Sequence, residues 1–314
     1  MEYLTSGITS NFDMYFFPEL NAKASADTGF RTVLTSGLNN FTSSVEQMEE
    51  DFHMVNEMSN LTSFLVGFHA EYTTSRELME GVAKLAEKVK SPVWLHNSET
   101  RLEVEECRKR WGMTPTELTD SLGMYAYGGG GYHCVWMDEK DFEIFRDRKL
   151  TAVTNPASNL KLASGICPVK RFVDDGISMA IGTDGPASNN CLDMFREMFL
   201  TSALAKVREM DAACVGADEI LYMATAGGAQ AMQLLDCDRL ETGKKADLIM
   251  IDLEQPNMQP ENNIVKNLVY SGSKQNVKMT MVNGKILYED NQFEIGFDKK
   301  EIYRHANEII GRMK

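Results

Sequence analysis

Short apolar runs rich in β-branched residues alternate, along the first two thirds of the chain, with longer stretches whose apolar residues recur every three or four positions. Runs of the first kind predict buried strands, and the longer stretches predict amphipathic helices. Seven strands are predicted, at residues 8–14, 31–38, 62–69, 92–96, 132–137, 150–155 and 177–184. Because strands separated by helices pair in parallel through right-handed crossovers, the pattern indicates an α/β fold.

After about residue 236 the pattern changes to short strand-like runs with turn signals between them. Three such runs are predicted as strands, at residues 243–253, 263–272 and 277–290. The dipeptide Asn283-Gly284 inside the third run predicts a hairpin turn. The last segment, 299–314, has its apolar residues on one side of a predicted helix. We therefore divide the chain into a barrel-like part, residues 1–235, and a small β unit with a C-terminal helix, residues 236–314.

Polar residues stand at or near the ends of five successive predicted strands. They are His69, His96, His133, the pair Thr154–Asn155, and Asp184. Successive positions are separated by about one strand–helix unit. A TIM-type (β/α)8 barrel builds its active site from the carboxyl ends of its strands, so this spacing favours a barrel.

The alternative, a doubly wound open sheet, is expected to show a glycine-rich phosphate turn after a strand. The one run of four glycines, 128–131, precedes a predicted strand and is therefore expected to be a loop. A closed barrel of this type needs eight strands, and the pattern predicts seven. Either one strand escapes the pattern or the chain starts inside the fold.

Charge and composition narrow the possible partners. The 314 residues carry a formal net charge of −14, which disfavours binding to nucleic acid or to an anionic membrane. An apolar run of about 18 residues, the length of a membrane span, does not occur, and no signal peptide is recognised. The six cysteines are scattered without a CxxC pair, which is typical of a reducing compartment, so we expect a cytoplasmic protein.

Four residues form the candidate site: His96 ends a strand, Glu99 follows it in a loop, His133 lies in the next strand, and Asp184 ends the last. Imidazole and carboxylate groups at one face of a sheet suit a Zn²⁺ or Fe²⁺ ion with an open position for water. Such an ion lowers the pKa of the water, and a nearby carboxylate or imidazole can carry the proton.

Each candidate also has a structural interpretation, because a lone histidine is often a satisfied core group and a strand-end aspartate often caps a turn. The coincidence of all four at successive strand ends favours a site. A serine nucleophile is not favoured, since no G-x-S-x-G motif occurs. A thiol nucleophile at Cys134 is not favoured either, because neighbouring strand residues such as Cys134 and His133 point to opposite faces.

Four motifs together resemble the amidohydrolase superfamily: HNSET at 96–100, HCVWMD at 133–138, NPASNLKLASG at 155–165 and GTDGPASNN at 182–190. Within it the chain is most similar to the S-adenosylhomocysteine/5′-methylthioadenosine deaminases and their chlorohydrolase relatives. The opening SGITSNFDMYFFPE and the closing GKKADLIMID and VNGKILYED match as well. The resemblance therefore extends over nearly the whole chain.

The resemblance implies a metal-dependent hydrolytic deaminase of an adenine-type nucleoside, in which metal-bound hydroxide attacks the ring carbon and ammonia leaves. His96 and Asp184 match ligands of a single Zn²⁺ or Fe²⁺, and Asp184 also matches a proton acceptor. Glu99 matches the acid that passes a proton to the ring nitrogen. His133 matches the histidine that orients and deprotonates the water, and His69 matches a histidine that contacts the substrate's sugar.

Two departures from the family pattern change these expectations. The family's first strand carries H-x-H, two further metal ligands, whereas the five histidines here stand at positions 53, 69, 96, 133 and 305. We therefore expect a barrel without its first strand, an incomplete metal site and little deaminase activity. The open edge is expected between strands 8–14 and 177–184, where it permits a homo-oligomer. Ser36 stands where an arginine is expected to bind the substrate. The chemical nature of the substrate's tail, above all whether it carries a carboxylate, is therefore left open.

Two other functions remain open at this point. One is a different reaction of the same superfamily, such as guanine deamination or hydrolysis of a triazine. The other is a catalytically impaired or non-catalytic chain, which the missing H-x-H favours.

Overall fold

A sheet of seven parallel strands forms the centre of the protein, as the computed structural model of residues 1–313 shows. The strands follow chain order from one edge to the other. They are β1 (Ser10–Tyr15), β2 (Arg31–Ser36), β3 (Thr62–Ala70), β4 (Val93–Asn97), β5 (Gly129–His133), β6 (Thr151–Thr154) and β7 (Ser178–Ile181). Each predicted strand of the barrel-like part overlaps one of them.

Helices cross between the strands and continue beyond the sheet. Those of the described residues are α1 (Glu2–Thr5), α2 (Pro18–Thr28), α3 (Val45–Met58), α4 (Arg76–Val89), α5 (Arg101–Trp111), α6 (Pro115–Ser121), α7 (Glu139–Asp147), α8 (Pro156–Lys161), α9 (Val169–Asp174), α10 (Pro186–Asn189), α11 (Met194–Glu209), α12 (Ala217–Ala224), α13 (Ala226–Ala231), α14 (Ile264–Tyr270) and α15 (Lys299–Arg312). None of the helices within residues 1–313 has the length and apolar character needed to cross a membrane.

The sheet curls, as a barrel wall does. The ring of Phe12 on β1 lies 5.0 Å from that of Trp94 on β4 and 5.6 Å from that of Tyr132 on β5. These strands are not neighbours in the sheet, so only a curled sheet brings their inner faces together. Within residues 1–313, β1 and β7 do not pair with each other, and the wall therefore has two free edges.

The glycine run, predicted as a loop, forms most of β5, and the predicted strand at 132–137 is wrong by about three residues. A Cβ atom on Gly129 would lie 2.0 Å from the carbonyl oxygen of Val93, and one on Gly130 equally close to that of Thr151. Glycine is therefore required where β5 passes between β4 and β6. The strand ends at His133, whose φ of 73° leaves the extended region, so His133 closes the strand and does not lie inside it.

The strand predicted at 177–184 also ends early, at Ile181. The Gly182 amide still donates to the carbonyl of Thr154 on β6, at 2.9 Å. Asp184 then adopts a φ of 58°, which bends the chain away from the sheet. The carboxylate is therefore carried by a turn just beyond β7, not by the strand itself.

The C-terminal part holds a second sheet, antiparallel, with strands β8 (Leu248–Ile251), β9 (Val277–Val282), β10 (Lys285–Glu289) and β11 (Gln292–Phe293). The hairpin turn between β9 and β10 is confirmed, since Asn283 and Gly284 both have positive φ, 51° and 78°. The strand predicted at 263–272 is wrong, because the Asn263 side chain accepts a hydrogen bond from the Lys266 amide and caps α14. The terminal helix, α15, is confirmed.

A substitution tests the close approach at β5. Gly130→Ala is expected to lower the free energy of unfolding by about 1–3 kcal/mol, because its Cβ would meet the Thr151 carbonyl oxygen and the Trp94 ring. Urea unfolding measures the change. In the matched control, Gly311→Ala in α15, the new Cβ meets nothing, and stability is expected to hold or rise slightly. Equal stability of the two variants would contradict the role given to Gly130.

Candidate active site

Three of the five histidines form a row at the carboxyl ends of β3, β4 and β5. The ring centroids of His69 and His96 are 4.9 Å apart, and those of His96 and His133 are 5.4 Å apart. The row follows from strand pairing, since these three strands are direct neighbours in the sheet. His53 lies on α3 and His305 lies on α15, and both are solvent-exposed.

The central ring, His96, is fixed by the backbone of its neighbour. Its Nδ1 donates to the carbonyl oxygen of His69 at 2.8 Å, which leaves Nε2 free to accept a proton or a metal ion. Burial lowers the pKa of His96 well below its usual value, and the rings of His133 and His69 add to the effect. The imidazole is therefore neutral at physiological pH.

His133 is oriented in the same way by a side chain. Its Nδ1 lies 2.7 Å from Oδ1 of Asn159, so the amide oxygen accepts the Nδ1 proton and Nε2 keeps its lone pair. That nitrogen lies 3.8 Å from Oε2 of Glu99. An imidazole nitrogen and a carboxylate at this separation can exchange a proton through a water or a substrate atom between them.

Glu99 lies in the loop between β4 and α5, and this loop is held rigidly. The Ser164 hydroxyl donates to Oε1 of Glu99 at 2.7 Å. The carboxylate of Glu103 accepts the backbone amides of Ser98, at 2.9 Å, and of Glu99, at 2.8 Å. Glu103 also completes the capping box of α5 with Thr100. Glu99, the candidate proton carrier, therefore lies on a loop whose backbone amides donate to the buried carboxylate of Glu103.

Asp184 accepts two hydrogen bonds beyond the end of β7. The Ser158 hydroxyl donates to Oδ2 at 2.5 Å, and the Gly185 amide donates to Oδ1 at 2.6 Å. Burial acts to raise the pKa of Asp184, but the hydrogen bonds from the Ser158 hydroxyl and the Gly185 amide act to lower it, and the pKa lies below its usual value. Asp184 is consequently a charged carboxylate at neutral pH, with its pKa below the usual value.

Sequence reasoning treated 155–165 only as a motif, and the structure gives its polar residues specific contacts. Ser158, Asn159 and Ser164 reach Asp184, His133 and Glu99, respectively. One short segment around α8 thus orients three candidate site residues. The sequence signal for these contacts is the high density of small polar residues directly after the strand that ends at Thr154.

A second buried carboxylate fixes that segment. Glu197 on α11 accepts the Ala157 amide at 3.0 Å and the Asn189 side-chain amide at 2.8 Å. Asn189 also donates to the Thr183 carbonyl at 2.6 Å, next to Asp184. Glu197 therefore ties the segment after β6 to the turn after β7. Burial raises the pKa of Glu197 to about 7, although both hydrogen bonds act to lower it.

Cys134 has no place in the chemistry. Burial raises the pKa of its thiol well above the usual value, and the thiol donates to the carbonyl of Gly131 at 3.3 Å. A buried protonated thiol is a poor nucleophile. The backbone of Cys134 has a positive φ of 48°, so the argument from strand alternation does not apply, but the conclusion is the same.

The motifs also suggest a metal ion, and the described residues supply only part of the ligand set that such an ion needs. His96 presents a free, neutral Nε2, and Asp184 presents a charged carboxylate, both suitable as ligands. Zinc sites ordinarily use at least three protein ligands. Across residues 1–313, no group of three or more His, Cys, Asp or Glu side chains is placed to hold a metal ion. The described residues do not make a complete metal site.

Comparison with known proteins adds three matches. A sequence model of the amidohydrolase family matches residues 1–287. The 5-methylthioadenosine/S-adenosylhomocysteine deaminase of Caldanaerobacter subterraneus subsp. tengcongensis is 36% identical over 311 residues, which covers 96% of this chain and 72% of that protein. The crystal structure of an adenosine deaminase from Xanthomonas campestris, with bound zinc, superposes with a TM-score of 0.92 at 31% identity and covers 98% of this chain and 72% of that one.

A more distant structure agrees in fold. An atrazine chlorohydrolase from Arthrobacter aurescens TC1, solved with zinc, superposes with a TM-score of 0.88 and covers 98% of this chain and 74% of that one. At 21% identity this likeness shows a shared fold alone. Together the matches confirm the barrel-type α/β fold and the family resemblance that the four motifs predicted.

The raised pKa of Glu197 predicts a pH dependence of stability. Its pKa is about 7 in the folded protein against an ordinary value of 4.5, so the folded state holds this proton more tightly than the unfolded state. The stabilisation is complete below pH 4.5 and is lost as the pH rises to about 7. Through this group the wild type is expected to lose about 2 kcal/mol of its free energy of unfolding between pH 5 and pH 7, and Glu197→Gln is expected to abolish that loss. Urea unfolding at the two pH values measures the change.

Glu209→Gln, on the exposed end of the same helix, is the matched control and is expected to keep the wild-type pH dependence. If Glu197→Gln and the wild type lose the same stability between the two pH values, the buried proton on Glu197 is refuted.

Proposed function

Because the chain belongs to the amidohydrolase family, we propose that its site hydrolyses the bond between the purine ring and the 6-amino group of an adenine-type nucleoside, releasing ammonia. The substrate class is that of S-adenosylhomocysteine and 5′-methylthioadenosine, which the name of the 36% identical relative carries. The observation that carries the proposal is the pairing of Glu99 with the free Nε2 of His133, 3.8 Å apart, beside the row of histidines.

The proposed reaction moves both protons of the attacking water, one to the ring and one to the leaving amino group. Nε2 of His133 accepts the first proton, and Glu99 delivers a proton to the ring nitrogen next to the reacting carbon. The water oxygen bonds to that carbon, Asp184 accepts its remaining proton and passes it to the amino nitrogen, the bond between carbon and nitrogen breaks, and the nitrogen leaves as ammonia. The proton left on His133 returns to Glu99, which restores both groups.

His69 is proposed to bind the sugar. Its Nδ1 lies 2.9 Å from the Thr73 hydroxyl, and its ring lies 6.0 Å from that of Tyr72. Burial lowers the pKa of His69, so the ring is neutral. A neutral imidazole with one nitrogen already bonded has the other available for a ribose hydroxyl, as donor or acceptor according to its tautomer.

We propose His96 and Asp184 as the ligands that this chain supplies to a single Zn²⁺ or Fe²⁺ ion, which the family implies. The free Nε2 of His96 and the low pKa of Asp184 support these two assignments. The described residues offer no third ligand, so weak metal retention is part of the proposal. The same shortage favours a poor catalyst, which keeps an impaired chain as the second candidate.

The surroundings of Ser36 support a proposal about the tail of the substrate. Ser36 ends β2 and is buried, and its hydroxyl accepts a hydrogen bond from the Leu38 amide at 3.1 Å. A neutral, already bonded hydroxyl does not pair with a carboxylate as an arginine would. This favours 5′-methylthioadenosine over S-adenosylhomocysteine.

The proposed partner is therefore a small-molecule nucleoside, in the cytoplasm, with neither nucleic acid nor membrane as a target. The net charge of −14 and the six free cysteines support this assignment. A homo-oligomer remains compatible with the free edges of β1 and β7. No contact on the described surface specifically favours guanine or a triazine.

A substrate panel tests the proposed function. Release of ammonia is measured for 5′-methylthioadenosine, S-adenosylhomocysteine and guanine, and release of chloride for a chlorotriazine, each with and without added Zn²⁺ or Fe²⁺. We expect low but reproducible turnover of the two adenine nucleosides, faster for the methylthio compound, and none for the others. Turnover of guanine or the triazine alone would contradict the proposal, and no turnover at all would support the impaired chain.

Glu99→Gln is expected to lower turnover by about 10²-fold or more, because it removes the proton carrier. Glu87→Gln, an exposed position on α4, is the matched control and is expected to leave turnover unchanged. Equal rates in both variants would remove Glu99 from the reaction.

A further inference from the structure

A cleft separate from the histidine row opens on the same side of the barrel wall. Its volume is about 600 Å³, the size of a site for a small organic molecule. Helix α5, the chain after β5, and the turn after α8 form its walls. The residues that matter for its chemistry are Arg101, Val104, Arg108, Trp136, Ile166 and Arg208.

Arginines outnumber carboxylates in the lining of the cleft. Three arginines line it, and the carboxylates that line it are those of Glu105 and Asp138. Arg108 is paired with Asp138. Arg101 is paired with Glu105 at 2.7 Å in an exposed contact, which solvent screens and a bound anion can replace. The Arg208 guanidinium donates to the carbonyl of Ile166, and its Nε lies 3.8 Å from Oε1 of the exposed Glu209, a second contact that solvent screens.

An aromatic surface lies beside these charges. The indole Nε1 of Trp136 donates to the Ser164 carbonyl at 2.7 Å, which fixes the ring, and 40% of the residue remains exposed. The neighbouring turn is shaped for this contact, because a Cβ on Gly165 would lie 2.8 Å from Val135 and 3.4 Å from Nε1 of Trp136. Gly165 also has a φ of 132°, which other residues rarely adopt.

We propose that this cleft binds a small amphipathic anion, a planar ring that bears one carboxylate or phosphate group. The ring would rest on Trp136 and the apolar side chains of Val104 and Ile166. The anionic group would accept hydrogen bonds from the guanidinium groups of Arg101 and Arg208, whose geometry matches carboxylate and phosphate oxygens. The cleft adjoins the candidate active site, since Ser164 accepts the Trp136 hydrogen bond through its carbonyl and donates to Glu99 through its hydroxyl.

Calorimetric titration of the full chain with defined probes tests the proposal. Phenyl phosphate and phenylacetate carry both required parts, and a Kd on the order of 0.1 mM is expected for at least one of them. The stronger of the two identifies which anion the cleft prefers. Benzyl alcohol, without the charge, and inorganic phosphate, without the ring, are expected to bind at least tenfold more weakly. Absence of binding by both complete probes would overturn the proposal.

Variants then locate the bound probe. Arg101→Gln combined with Arg208→Gln is expected to weaken binding at least tenfold, and Arg101→Gln alone, at an exposed position, to weaken it by a smaller factor. Arg146→Gln, a surface position on α7 outside the cleft, is the matched control and should bind as the wild type does. His69→Gln, in the candidate active site, should also leave binding unchanged. Loss of binding in His69→Gln with retention in the double arginine variant would place the probe elsewhere and refute the cleft.

Discussion

The pairing of β4 with β5 is the constraint on which the candidate site depends. In this register His96 stands opposite Tyr132, and Asn97 stands opposite His133. His133 is thus one residue out of step with His96, but its positive φ takes it out of the strand alternation, and the two candidate imidazoles lie 5.4 Å apart. The pairing requires glycine at two positions, because a Cβ on Gly129 would lie 2.0 Å from the Val93 carbonyl oxygen of β4 and one on Gly131 would lie 2.7 Å from Cβ of Asn97. Gly130 is required by the other neighbour, β6, whose Thr151 carbonyl oxygen would lie 2.0 Å from its Cβ. The placement of the candidate site residues at this edge of the sheet therefore depends on a close backbone approach that only glycine permits.

The side chains that complete the site are oriented by a polar network, much of it buried. Ser158, Asn159 and Ser164 hold the aspartate, the second histidine and the loop glutamate, and the carboxylates of Glu103 and Glu197 hold the backbone that carries them. Both carboxylates have a pKa raised to about 7 by burial. The fixed geometry of the site is therefore accompanied by a loss of stability as the pH rises from about 4.5 to about 7, because unfolding then allows the two buried carboxyl groups to release their protons.

Much of the fold could be predicted from sequence, because strand-forming apolar runs and polar strand ends are local signals. Each of the seven strands overlaps a predicted one, and the Asn283-Gly284 hairpin is confirmed, but β5 was predicted about three residues too late. The error at β5 has a non-local cause, because glycine is required there by the close approach of neighbouring strands. The error at α14 has a local one, because the cap formed by Asn263 outweighs the β-branched residues at 264–270 that favour a strand. The candidate site residues were found as strand-end groups, but Asn159 and Glu197 act through partners distant in sequence, and no local pattern reveals such contacts.

We propose that residues 1–313 carry the proton-transfer and substrate-binding groups of a deaminase but fewer than three ligands for its metal ion. The most direct test is the metal content of the chain, purified without added metal and measured by elemental mass spectrometry. The account predicts well under one zinc or iron per chain. A tightly bound ion at one per chain, retained through dialysis against a chelator, would show that the ligand set is complete and would contradict the account.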